Sequence, residues 1–120
     1  MPEKKRPDRV TREVIWSDED AEEVELVDAA TMRARLLMVE SSEKWESTLF
    51  PPLLHFAGTR LLIPQVVGII VDTIRTTHYS EEKNLRNFMA KKVPLFIDAM
   101  INDSAGRERA YAFLSDTLNG

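Results

Sequence analysis

"LLIPQVVGIIVDTI" occupies residues 61–74, and its reading decides the fold. It is the most apolar run in the chain. Pro64, Gln65 and Asp72 interrupt it, and it is shorter than the ~20 apolar residues a membrane-spanning helix needs. Val67, Ile70, Val71 and Ile74 recur at three- and four-residue steps, the stripe of a helix. Val66 and Ile69 carry apolar surface round the other side. A helix apolar over most of its circumference is central to a fold. The run therefore predicts a helix opened by Pro64 that is either the hub of the core or the seam of an oligomer. In the second case Val67, Ile70 and Ile74 meet a partner.

Working outward, each flank is punctuated in the same helical style. On the C-terminal side Ser80, with Glu81 and Glu82, is a start signal. Leu85, Phe88 and Met89 then face inward, and Pro94 kinks or restarts the chain before "LFIDAMI". Asp103 or Ser104 caps a last helix, in which Tyr111, Leu114 and Leu118 align. On the N-terminal side Met32, Leu36 and Val39 share a face that Leu37 broadens. Ser41 and Ser42 weaken that helix without having to end it; Pro51-Pro52 stop it. Pro52 then opens "PLLHFAG", with Gly58 as terminator. Met32, Met38, Met89 and Met100 fall at helical spacings among apolar neighbours and read as core rather than binding groove. The expectation is all-α: a compact bundle of about five helices.

The N-terminal stretch "WSDEDAEEVELVD" (16–28) is harder to read. It holds seven carboxylates from Asp18 to Asp28 and no basic residue, yet Val24, Leu26 and Val27 sit inside it. Ser17 can cap a helix whose first turn holds Asp18, Glu19 and Asp20, where the helix dipole favours negative charge. That favours a helix over residues 18–28. The extended alternative is that "VELV" (24–27) adds to a sheet edge of a basic partner. "WSDEDAEEVELV" resembles the opening of a Myb/SANT repeat, in which an aromatic precedes a capped acidic helix. The next tryptophan, Trp45, comes too late for that repeat and no basic recognition helix follows, so the family is not assigned. Residues 1–16 are expected to be a disordered or extended charged arm and residues 17–120 a single helical domain.

Composition bounds the function. Hydrophobic residues make up 43% and charged residues 30%, a globular balance. There are no cysteines, so disulfides and thiolate-bound metals are excluded. The net charge of −4 is local: residues 14–28 sum to −7, residues 1–13 to +2 and residues 29–120 to +1. "MPEKKRPDR" is basic but no apolar core follows it, so a secretory signal is not expected and the cytoplasm is the default location. The two histidines, His55 and His78, have no ligand cluster around them. Glycines are too few and too scattered for a phosphate loop. No nucleophile–base arrangement stands out, and Asp18/Asp20 and Glu81/Glu82 suit first-turn positions better than acid–base work.

The expectation is accordingly not an enzyme, with no cofactor, no metal, no membrane and no evident small-molecule substrate. It is a non-catalytic protein–protein interaction or assembly module that self-associates or serves as an accessory subunit. Trp16, Val24, Leu26 and Val27, with Val67, Ile70 and Ile74, are its candidate partner-binding residues. The alternative is a small DNA- or RNA-associated regulator. It would use Lys4, Lys5, Arg6 and Arg9 in the tail and a basic patch of Lys83, Arg86, Lys91 and Lys92. The acidic segment could also shield Lys91-Lys92 until a partner displaced it.

Overall fold

A computed structural model describes residues 21–77 and 82–119, with the backbone only for residues 82–84. Their order is β1 (Glu23–Glu25), α1 (Ala29–Val39), α2 (Glu43–Thr48), α3 (Phe50–Leu54), β2 (Arg60–Leu62), α4 (Ile63–Thr77), α5 (Glu82–Met100) and α6 (Ser104–Asn119). The chain is mostly helical and compact, with six helices rather than five among the described residues. It is not all-α, because β1 and β2 form a two-stranded antiparallel sheet. The charged arm, Ser17 and the brief alternation at residues 12–16 lie outside the described residues.

The sheet corrects the helix expected over residues 18–28. Val24 pairs with Leu61, Glu23 with Leu62 and Glu25 with Arg60. Leu26 and Val27 continue the extended course: Leu26 N–H donates to Thr59 O at 2.9 Å and Val27 N–H to Met100 O at 2.9 Å. The physical reason is period. Val24 and Leu26 alternate with glutamates, so an extended chain buries both (5% and 2% exposed) and leaves Glu23 and Glu25 in water. The strand adds to an edge, as its pattern allowed, but the edge belongs to its own chain.

Asp28 stops the strand and starts α1. Its carboxylate accepts from Thr31 N–H at 2.8 Å and from the Thr31 hydroxyl at 3.0 Å. Those bonds hold its pKa below the usual carboxylate value. The helix ends at Val39 rather than running through the serines, because Ser42 accepts from Lys44 N–H and opens α2. The two prolines begin α3 rather than merely ending a helix: with no N–H, they fit a first turn whose donors lack partners. Gly58, at φ 78°, turns the chain into β2.

The hub is where the apolar run put it. In α4, Ile63, Val66, Val67, Ile70, Val71 and Ile74 are buried. Gln65 accepts from Leu62 N–H at 2.8 Å, satisfying a donor at the helix start. Pro94 does not restart the chain; α5 runs unbroken through it, since a helix packed along its length tolerates one missing backbone bond. Asp103 caps α6 by accepting from Gly106 N–H at 2.7 Å.

Asp98 joins α5 to α6. The Tyr111 hydroxyl donates to its carboxylate, and Arg107 Nε lies 3.6 Å away. Burial, then the bond to Asp98, pushes the Tyr111 phenol from 10.0 up to about 12. A raised folded pKa means stability that is present below pH 10.0 and lost as pH rises through about 12. Ultraviolet titration of tyrosinate should show a step near that pH that Tyr111→Phe removes. A Tyr111 that ionised at its ordinary pH would refute the contact.

Candidate partner-binding site

The residues expected to meet a partner are mostly inside. Val67, Ile70 and Ile74 are 1%, 0% and 0% exposed, in one core with Val24 and Leu26. The hub helix therefore spends this stripe within its own chain. Val27 is half-buried against the same core. Trp16 lies outside the described residues.

Nor does the basic patch assemble on one face. Lys4, Lys5, Arg6 and Arg9 lie outside the described residues, as does the Lys83 side chain. Arg86 donates to Leu118 O near the end of α6, where a cation suits the helix dipole. Lys92 Nζ lies 3.6 Å from Glu40 Oε2. At about 100° per residue, Arg86, Lys91 and Lys92 spread over more than half the circumference of α5. The described acidic residues do not shield Lys92, which is paired with Glu40 instead.

A groove of about 930 Å³ runs beside β1, lined by Glu22, Glu23, Glu25, Asp28, Asp103 and Arg35 among others. Its acidity looks like a site, but each carboxylate already has a local task. Glu22 lies 2.7 Å from Arg109, while Glu23 and Glu25 lie 3.5 and 3.7 Å from Arg60. Asp28 and Asp103 cap α1 and α6. What remains is a solvated rim that discourages strand pairing by a second chain.

The surface that sequence reasoning missed is the outer face of α1. Met32 and Leu36 are fully buried on its inner side. Ala30, Ala34 and Met38, four residues apart on the opposite side, are exposed, and Leu37 beside them is half-buried. Met38 corrects the expectation that all four helical methionines are core. Met32, Met89 and Met100 are, but Met38 is 86% exposed. Leu95 of α5, 41% exposed, lies one turn from Lys92, the residue that pairs with Glu40 at the end of α1. Polar groups flanking this face are engaged within the chain. Arg33 is bonded to Glu46, Arg35 Nη2 donates to Asn102 Oδ1 at 3.1 Å, and Glu40 holds Lys92. The signal was in the sequence: "AATMRARLLMV" is apolar on both faces, and one helix surface can meet the core only once.

Among the described residues no side chain that is polar or charged is fully buried, and no group of three or more His, Asp or Glu could hold a metal ion. No described helix is long and apolar enough to cross a membrane. No protein-family model matches the chain, and neither a curated protein nor a solved structure matches it.

Proposed function

We propose that this chain is a non-catalytic interaction or assembly module that docks through the outer face of α1. The observation that carries this reading is Met38, 86% exposed on a helix whose opposite side is core. Single exposed apolar residues are common; a continuous helical stripe of Ala30, Ala34 and Met38, with Leu37 beside it, is not a solvated face. Methionine suits docking because its flexible, polarisable side chain adapts to an apolar mate. Its flanking charges are spent internally, so the face offers apolar contact rather than charge.

Met38→Lys is the test. The position is exposed, so the variant should unfold within about 0.5 kcal/mol of the parent. Its association, read by sedimentation with the purified chain and with any protein that co-purifies with it, should weaken by roughly tenfold or more. Unchanged association of a normally folded variant would overturn the reading.

A further inference from the structure

Resting on that reading, we infer that the mate of the α1 outer face is the same face of a second copy, with the two helices antiparallel about a two-fold axis beside Ala34. The argument begins with size. Ala30, Ala34 and Met38 run small, small, large along the exposed side. A two-fold axis at the middle residue sets each Met38 over the other copy's Ala30 and Ala34 against Ala34. Large meets small at both ends, and two methyl groups at the centre let the helices approach closely. A parallel pairing would set Met38 against Met38 and leave the Ala30 pair a gap.

Charge points the same way. A self-pairing face meets its own charges, and free like charges would oppose it. Here Arg33 is bonded to Glu46, Arg35 to Asn102, and Glu40 to Lys92. A charged partner would find its complement already occupied, whereas an identical copy brings matching apolar surface and no new unpaired charge. The contact is small. An eleven-residue helix is about 16 Å long. One face of it falls well below the roughly 800 Å² per partner of a standard interface. The pairing is therefore a concentration-dependent equilibrium and not a permanent dimer.

The absence of native cysteine makes a direct test clean. Under mild oxidation Ala34→Cys should form a covalent dimer, since the axis brings the two Cα atoms within the roughly 4.4–6.8 Å a disulfide spans. Ala30→Cys and Met38→Cys alone should not link, but an equal mixture of the two should. Sedimentation of the parent should show dimer rising with concentration, and Met38→Lys should shift the midpoint by roughly tenfold or more. Linking of Ala30→Cys or Met38→Cys with itself would overturn the antiparallel register. A chain that stays monomeric at all concentrations, with no link at position 34, would overturn self-pairing. In that case Met38→Lys still weakening a different co-purified protein would leave the docking reading standing, and no effect of Met38→Lys anywhere would remove both.

Discussion

Phe96→Ala should lower the unfolding free energy by about 3–5 kcal/mol, the cost of a buried aromatic truncated in a close-packed core. Phe96 is 0% exposed, and its ring stacks on Trp45 with centroids 5.6 Å apart and planes at 17°. Trp45 also meets Phe88 edge-on at 5.9 Å. It stands on α2, a helix of six residues that is too short to form alone. The tryptophan anchors α2 to α5, so the truncation leaves a cavity and removes the surface that holds α2 in place. Small domains unfold with about 5–15 kcal/mol in all, so a large share of the total rests on this ring. Urea denaturation of Phe96→Ala beside Phe96→Leu measures it. Leucine keeps most of the volume and should cost less than half as much. A loss below about 1 kcal/mol for alanine would contradict the stack, since that is the range of ordinary substitutions.

How far the fold could be read beforehand depended on how local each cause was. The α4 hub was legible because Val67, Ile70 and Ile74 repeat at helical steps within one segment. The α6 cap was legible because Asp103 needs only the N–H of Gly106, three residues on. β1 was misread although its alternation, Val24 and Leu26 between glutamates, was present. Ser17 supplied a local start signal, and a three-residue strand is too short for its pattern to outweigh one. Nothing within the strand shows that β2 and Met100–Ile101 stand ready to receive it. Pro94 misled in the opposite direction. One lost backbone bond outweighs a short helix, but α5 has 19 residues and packing along most of them.

The candidate site was less legible for the same reason. Met32 and Met38 look alike in sequence, six residues apart in one apolar helix. Which of them faces the core is set by where α4, α5 and α3 lie around α1. That is decided by the whole packing and not by the helix. Once the inner face is filled by Met32 and Leu36, Ala30, Ala34 and Met38 follow on the outside by rotation alone. The expectation of an interaction surface thus moves from the hub helix, whose stripe is spent in the core, to a helix with one face to spare.

Gly106→Val should destabilise the fold by about 3 kcal/mol, toward the upper end for overpacking a filled site. Even Gly106→Ala should destabilise, although that change in a helix is ordinarily worth up to about 1 kcal/mol in the stabilising direction. The sign reverses because of what lies opposite. A Cβ on residue 106 would stand 2.9 Å from Val24 Cγ1, 3.2 Å from Asp103 Oδ2 and 3.4 Å from Ile101 Cγ2. The first contact is too close for any real Cβ. Val24 cannot rotate away cheaply, because its branch point is next to the backbone and its χ1 is stiff. Asp103 is pinned by the bond it accepts from Gly106 N–H. Either α6 or β1 must move, and β1 is the weaker element: three residues paired on one edge, carrying Val24 and Leu26 inward. Loosening it should raise hydrogen exchange at the Leu26 and Val27 amides, which donate to Thr59 O and Met100 O. Val24→Ala removes the clashing methyl and should partly rescue Gly106→Val, with a favourable coupling of about 1–2 kcal/mol in the double-mutant cycle. Additive losses, or a Gly106→Ala protein more stable than its parent, would mean that β1 does not lie against α6 at this glycine.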